Sequence, residues 1–250
     1  MKHLIVAVVL SPFFVYLVFA TRAVLFTTLE KLRPARPHSY WPTIPYDVAS
    51  VATYQWIIFP LAIFLIRYFP GGHQYPFSLA ALPVPVRVVI YLVVADFGYY
   101  WVHRLMHTRH VWRVHKWHHS PRYLYWLAGM RASVPQEYLV NIPYILAFPL
   151  LGPIEWYVGA AIVTHVGFKN DWQHMNVAWR STWLEWILVT PRYHHIHHSA
   201  DPQHYVANLG DLFTMWDRLF GTYVDPGTVR KELSFGIDSE DPTARLVLGV

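Results

Sequence analysis

The hydrophobic positions of this chain gather into long runs that are separated by short polar stretches. Three runs, Leu4–Leu29, Val48–Phe69 and Val86–Val102, approach or exceed the roughly 20 apolar residues with which an α-helix crosses a bilayer. The first run follows Lys2 and could mimic a secretory signal, but its apolar character continues beyond Ala20, which favours a retained helix. The pattern therefore predicts about three transmembrane helices.

A fourth apolar stretch, Leu139–Phe168, is interrupted near its middle by Leu151-Gly152-Pro153. Each half is short for a full crossing of the membrane. We therefore expect a broken helical hairpin that enters and leaves on one side, so that the polar residues before and after it stay together. The predicted fold class is an all-α integral membrane protein with about three spans and this hairpin.

The composition agrees with a bilayer protein, because 54% of the residues are hydrophobic, 14% are charged and the mean hydropathy is +0.24. The net charge is +5, yet the basic residues are scattered among aromatic and apolar neighbours, which disfavours nucleic-acid binding. Because basic loops tend to stay in the cytoplasm, the charge distribution indicates which side faces it. That side carries Lys31, Arg33, Arg36, Arg104, Arg109, Arg113, Lys116, Arg122 and Arg131, against Lys2, Arg67 and Arg87 on the other.

Histidine is concentrated in three short clusters on the side that we expect to face the cytoplasm. Residues i and i+4 of a helix share a face, so the members of each cluster can grip one ion together. The chain has no cysteine, which excludes thiolate ligands and leaves imidazole as the natural one. The clusters are His103 with His107; His115 with His118 and His119; and His194 with His197 and His198.

His174 is a further candidate ligand, and Asn170 lies one turn before it on the same helical face. We expect Asn170, rather than His165, to be a tenth ligand or to hold a metal-bound water. Asp171 could serve either role.

Two polar residues are candidates for orienting a ligating imidazole. Asp96 precedes His103 by two turns on the same face. A buried carboxylate there could hydrogen-bond the far nitrogen of the ring, or it could make a structural hydrogen bond to a tyrosine or to the backbone. Asn176 is the second candidate. His195 points away from the face of His194 and His198, and His110 shares the face of His103 and His107 but lies one turn further toward solvent. We expect both at the surface or beside the ligands.

The number of histidines suits two ions rather than one, because a single ion rarely takes more than about six ligands. Ligand type alone does not decide between zinc, copper, iron and nickel. A structural zinc ion needs four ligands, and this chain offers more than twice that number. Neutral ligands around two ions, with positions left open, suit redox-active iron that handles dioxygen.

At these residues the chain resembles the fatty acid hydroxylase and sterol desaturase superfamily of membrane-bound di-iron enzymes. The similarity covers roughly residues 86 to 225, more than half of the chain, with the motifs in the expected order. One departure is Asn170, where some relatives have a histidine. The matching motifs are Asp96–His107, Val111–Ser120, Arg131, Gln173–Asn176, Thr190–Ser199 and Trp216–Thr222.

The resemblance implies a helical cap at the cytoplasmic membrane surface that holds two irons over a hydrophobic substrate tunnel. Such enzymes use dioxygen and two electrons from an outside donor, of the cytochrome b5, ferredoxin or flavin-reductase type, to oxidise an unactivated C–H bond of a lipid. We therefore expect hydroxylation of a lipid or another hydrophobic molecule. Desaturation or ketone formation at the same site stays open, because these outcomes diverge only after the first hydrogen abstraction.

An alternative from another class is a metal-binding membrane protein or carrier without oxidase activity. A carrier needs polar groups along a path through the bilayer, whereas the histidines here follow the predicted spans.

The expected domain division is 1–85 for the N-terminal helices and linker, 86–225 for the di-iron domain, and 226–250 for a polar tail that lies loosely at the surface. Within the di-iron domain, His103–Arg131 is expected to be a helix that emerges from the membrane into water.

Overall fold

A computed structural model of the chain describes residues 12–37, 39–58, 79–239, 241 and 243–250. These residues form helices and three isolated β-bridges but no sheet, so the all-α prediction is confirmed. The α-helices are α1 Pro12–Leu32, α2 Ile44–Thr53, α3 Val84–Met106, α4 Trp112–His115, α5 Val134–Ala147, α6 Trp156–His174, α7 Thr182–Ile187, α8 Pro191–His197, α9 Met215–Phe220 and α10 Thr243–Leu248. Short π or 3-10 helices lie at Tyr54–Ile58, Trp126–Met130, Phe148–Leu151 and Pro202–His204.

Helix α3 is the central long helix of the protein. It begins after Pro83, whose fixed φ suits a helix start, and ends at the cap residue His107. Within the described part of the chain it is the one helix long and apolar enough to cross a membrane. The run Val86–Val102 is thus confirmed as a helix, whereas the second half of Val48–Phe69 and the start of Leu4–Leu29 lie outside the described residues.

Helices α5 and α6 form the expected broken hairpin. Ser133 caps α5, because its hydroxyl accepts the N–H of Gln136 at 3.3 Å. Between the arms Gly152 has a φ of +59°, a conformation that glycine adopts without strain. The turn lies at the start of α3, where Arg87 donates to the carbonyl of Leu151. The other ends of both arms therefore lie near the end of α3, where the histidines are.

In the described part of the chain, three apolar clusters hold the helices together. One packs α3 against the hairpin, one joins α3 to the segment around α9, and one joins α1 to the stretch 123–128. Because α1 shares a core with that stretch, the N-terminal helix is fixed to the part of the chain that carries the histidines. Buried members are Tyr91, Ala147 and Ile162 in the first cluster, Tyr100 and Leu209 in the second, and Phe26, Leu124 and Met175 in the third.

Charged residues of the N-terminal helices also make buried contacts with the rest of the fold. Asp47 of α2 pairs with Arg131, and Arg22 of α1 donates to Asp171 at 2.7 Å. The fully buried Glu30 carboxylate accepts two backbone N–H groups, each at 2.8 Å. Removal of one partner would leave an uncompensated buried charge, so these contacts tie the N-terminal helices firmly in place.

Two expectations about the polar segments are wrong. His103–Arg131 is not one helix that enters water: α3 ends at Met106, α4 is a single turn, and the stretch 123–128 is buried. The C-terminal tail does not lie loosely, since Asp241 pairs with Lys116 and α10 packs against α4 and α5. Both segments are held by tertiary contacts that a hydropathy pattern does not report.

The close approach of α3 and α5 at Gly98 gives a testable prediction. A Cβ added there would lie 2.8 Å from the Cβ of Pro143. We expect Gly98→Ala to lower the free energy of unfolding by about 1–3 kcal/mol, because the two helices must separate. Gly159→Ala is the matched control, since its Cβ would meet only Ile154 Cδ1, at 3.8 Å. The control should be stabilised by about 0.5–1 kcal/mol. Thermal unfolding in detergent measures both, and equal effects would contradict the contact.

Candidate metal centre

The histidine clusters meet inside the protein near the end of α3. Nine of the ten residues predicted as ligands, all but Asn170, fall into two groups whose potential ligand atoms lie within 4.8 Å of one another. All nine are buried except His107, which is half-buried. The first group is His103, His107, His115, His119 and His197, and the second group is His118, His174, His194 and His198.

We had expected the members of each cluster to bind one ion together, but two of the three clusters are divided between the groups. His118 joins the second group, while His115 and His119 join the first. In the third cluster His197 joins the first group, and its neighbours join the second. Adjacent residues differ by about 100° around a helix axis, so the i and i+4 members stay together and the i+3 member points elsewhere. Each H-x2-H-H cluster therefore spans both groups.

The ring nitrogens within a group are spaced as the ligands of one ion would be. The Nε2 atoms of His103 and His115 lie 3.0 Å apart, and so do those of His194 and His198. His174 Nε2 lies 3.1–3.3 Å from the other three Nε2 atoms of the second group. Two nitrogens that bind one ion at about 2.1 Å, with an angle of roughly 90–110° between them, are about 3.0–3.4 Å apart.

The opposite ring nitrogen, Nδ1, is held by a carbonyl oxygen in five of these histidines. When Nδ1–H donates, the lone pair of Nε2 is left free, which is the tautomer that the converging Nε2 atoms require. The acceptors are the backbone carbonyls of Leu209 for His103 (2.8 Å), Arg131 for His118 (2.8 Å), Asn170 for His174 (2.7 Å) and Ala207 for His197 (3.0 Å), and the side-chain carbonyl of Gln136 for His115 (2.9 Å).

Three buried Nε2 atoms, those of His107, His119 and His197, make no hydrogen bond with any described residue. A buried polar atom without a partner costs free energy, and a metal ion in the first group would satisfy all three together. The donor set consists of imidazoles alone, which suits transition metals. The residues present therefore fit two metal ions, one in each group.

Burial lowers the pKa of the clustered histidines well below the usual range, and neighbouring imidazoles lower it further. This holds for His115, His119, His194 and His198. The rings are therefore neutral at pH 7, which is the state in which imidazole binds a metal.

Asn170 lies beside the second group and supports it through its backbone carbonyl, which accepts from His174. Its side-chain nitrogen lies close to Gly129, because a Cβ added to this glycine would be 2.7 Å from Nδ2. The role of Asn170 as a ligand stays a prediction. His165 belongs to neither group.

Asp96 makes structural hydrogen bonds, one of the two roles that the sequence left open. Its carboxylate accepts two backbone N–H groups, at 2.7 and 3.0 Å, and the indole N–H of Trp216 at 2.8 Å. The amide of Asn176 donates to the hydroxyl of Tyr123 at 2.7 Å and to the carbonyl of Arg36 at 2.8 Å. In the described part of the chain neither side chain hydrogen-bonds a ring of the two groups.

Three further residues that the sequence placed near the ligands, Asp171, His195 and His110, belong to neither histidine group. The Asp171 carboxylate pairs with Arg22 at 2.6 Å instead of facing either group. His195 is buried beside the second group, with Nε2 3.3 Å from the carbonyl oxygen of His174. His110 is exposed.

Some residues that position the ligands gave no signal in the sequence. Gln136 contacts His115 from another helix, and nothing local marks it out. Gly129 leaves room for His174, since an added Cβ would lie 2.5 Å from Nδ1. The remaining acceptors are backbone carbonyls, which any residue type supplies.

Comparison with known proteins agrees with this geometry. The family model described as fatty acid hydroxylase matches residues 88–222, just over half of the chain, and this range contains both histidine groups. No solved structure matches the chain.

Several curated relatives are similar to part of the chain. An alkylglycerol monooxygenase of Xenopus tropicalis is 33% identical over 52% of this chain and 28% of its own length. The ornithine lipid hydroxylase OlsE of Rhizobium tropici is 33% identical over 67% of this chain and 51% of its own. The Delta(7)-sterol 5(6)-desaturase erg31 of Schizosaccharomyces pombe is 26% identical over 74% and 54%. The matches thus span from about a quarter to about half of these relatives.

The lowered pKa of the buried histidines predicts that the metal-free protein loses stability on acidification. In the unfolded chain histidine takes up a proton near pH 6.5, whereas the folded state binds it only at lower pH. The contribution of these rings to stability should therefore be constant above about pH 7.5 and should be lost progressively as the pH falls from about 6.5 to 5. Thermal unfolding of chelator-treated protein measures this. His119→Gln should make the fall shallower by up to one proton, about 1.4 kcal/mol per pH unit. A fall as steep in His119→Gln as in the parent would contradict the burial of a neutral His119 ring.

Proposed function

Because the chain belongs to the fatty acid hydroxylase family, we propose that it is a membrane-bound, iron-dependent oxygenase. The proposed reaction is the hydroxylation of an unactivated C–H bond of a lipid or another hydrophobic molecule. The observation that carries this proposal is the pair of buried, neutral histidine groups, within each of which the ligand atoms gather around a common point.

We propose that each group holds one iron ion, with Asn170 as an additional ligand beside the second group. Bound iron supplies the activation of dioxygen, so that R–H, O2, two electrons and two protons give R–OH and water. The chain itself keeps the imidazoles neutral, determines that Nε2 rather than Nδ1 faces the ion, and excludes water from the site. Trp112 contributes to the exclusion, because its ring lies 5.2 Å from the rings of both His107 and His119.

Hydroxylation is favoured over desaturation by the degree of similarity. Relatives named as monooxygenases or hydroxylases are 32–33% identical to the chain, whereas those named as sterol desaturases are 26–28% identical. Desaturation remains the second candidate, because both kinds of relative share the family. The relatives' names refer to an alkylglycerol, an ornithine lipid and a sterol, which supports a lipid substrate here.

We further propose that α3 crosses the membrane together with two N-terminal spans, and that the hairpin enters from the side of the histidines. Exposed apolar side chains along α3 support this placement, since a bilayer would cover them. They are Val86, Val89, Val94, Phe97, Trp101 and Leu105. We also propose that the chain divides by function into residues 1–85, 86–225 and 226–250. Every proposed ligand lies in the second part.

The metal centre is proposed to form a cap that faces the cytoplasm. On that side the exposed basic residues include Arg109, Arg113 and Arg122. Arg87, at the opposite end of α3, is buried, so it adds no exposed positive charge to the other side. An outside donor of the cytochrome b5, ferredoxin or flavin-reductase type would deliver the two electrons there.

Mass spectrometry of lipid extracts from cells that express the chain tests the activity. We expect products that are heavier by one oxygen atom, and a decrease of roughly 100-fold or more in His107→Ala and His197→Ala, which should also bind less iron. His110→Ala, at an exposed histidine, is the matched control and should retain turnover. Full turnover in either ligand variant would refute the metal site.

The same extracts separate the alternatives. Products that have lost two hydrogens would indicate desaturation. Uptake of metal into vesicles without any lipid product would indicate a carrier.

The sidedness has its own test, which the absence of cysteine makes simple. Arg109→Cys places a single thiol in an exposed loop beside the histidines. If the centre faces the cytoplasm, a membrane-impermeant maleimide should label this variant only after the cells are opened. The cysteine-free parent is the control, and labelling in intact cells would contradict the proposed orientation.

A further inference from the structure

Two histidines of the first group have their hydrogen-bond partners in one short stretch of backbone. We call this stretch, Tyr205–Leu209, the anchor segment. The carbonyl oxygen of Ala207 lies 3.0 Å from Nδ1 of His197, and that of Leu209 lies 2.8 Å from Nδ1 of His103. At the start of the segment the backbone of Tyr205 raises the pKa of His107, which burial lowers.

The second group is supported from other parts of the chain. His118 donates to the carbonyl of Arg131, and His174 donates to the carbonyl of Asn170. Neither acceptor belongs to the anchor segment. A change in the shape of this segment should therefore act mainly on the first group.

Asn208 holds the anchor segment in shape. It is fully buried, and its φ of +53° lies in the left-handed region, which asparagine tolerates better than most residues and which is strained for β-branched ones. Its amide donates to the carbonyls of Tyr193 (3.2 Å) and Val224 (3.1 Å), and its Oδ1 accepts the N–H of Val224 at 2.8 Å. Its own N–H donates to the carbonyl of Thr222 at 2.8 Å.

We propose that Asn208 is a positioning residue for one of the two metal sites. Its left-handed backbone directs the carbonyls on either side toward His197 and His103, and its side chain locks that conformation. This inference rests on the proposed function, because it requires that both groups bind iron. Hydrogen-bond partners of ligating histidines typically alter metal affinity by about 10–100-fold. Disturbing Asn208 should therefore weaken binding in the first group and spare the second.

The test is the iron content of the purified protein, loaded with ferrous iron and passed over a chelating resin. We expect about two irons per chain in the wild type and about one in Asn208→Val. Asn208→Gly keeps the left-handed backbone without the side chain, so it should retain more iron than the valine variant. Asn141→Val, at an exposed asparagine of α5, is the matched control and should retain both.

A second variant, placed beside the second group, shows which group has lost its ion. Gly129→Ala would place a Cβ 2.5 Å from His174 Nδ1, so it should disturb the second group and leave about one iron. If the two positions act on different groups, the double variant Asn208→Val/Gly129→Ala should hold no iron. One iron in the double variant would mean that both changes affect the same site, and would overturn the proposal.

The remaining outcomes are also distinct. Two irons in Asn208→Val, or the loss of both together, would overturn the role of Asn208 while leaving the proposed function intact. A wild-type protein that binds no iron would overturn the proposed function, and this inference with it. If the valine variant does not fold, Asn208→Ala takes its place with the same expected loss of one iron.

Discussion

Nine imidazoles can meet inside a protein only if each ring stays neutral and presents one chosen nitrogen to its neighbours. Burial provides the first condition, because it lowers the pKa of rings such as His119 and His198 far below neutral pH. Carbonyl oxygens provide the second, because an Nδ1–H that donates to a carbonyl leaves Nε2 free for an ion. Much of the remaining architecture keeps these carbonyls in place.

Buried polar side chains hold the carbonyl-bearing segments. The Asp217 carboxylate accepts the N–H groups of Leu209 and Gly210, both at 2.7 Å, and the hydroxyl of Tyr193 at 2.9 Å. Burial raises the pKa of Asp217, while these hydrogen bonds favour its ionised form. The Asp96 carboxylate of α3 accepts the N–H groups of Leu212 and Phe213, which follow a few residues later in the chain. The ligand geometry is thus supported by two buried carboxylates that accept backbone N–H groups and, in the described part of the chain, hydrogen-bond none of the rings.

The two histidine groups share ligand clusters, but different parts of the chain hold their rings. Each H-x2-H-H cluster contributes to both groups, so that a displacement of α8 moves ligands of both. The carbonyls behind the ligands are divided differently, since Tyr205–Leu209 serves the first group, while Arg131 and Asn170 serve the second. Both groups lie near the end of the apolar helix α3, and the proposed membrane crossing of α3 would bring them close to the boundary that a lipid substrate approaches.

The sequence by itself determined which histidines were candidate ligands and much of the local structure. Histidine spacing, the lack of cysteine and the apolar run before His103 were enough to predict the ligands, the helical class and the family, because helix periodicity is a local property. Only the tertiary structure decided how the ligands divide between two groups, why Asp96 bonds to backbone rather than to a ring, and that the tail packs through α10. These features depend on contacts between residues far apart in the chain, and a backbone carbonyl such as that of Ala207 has no side-chain signature to read.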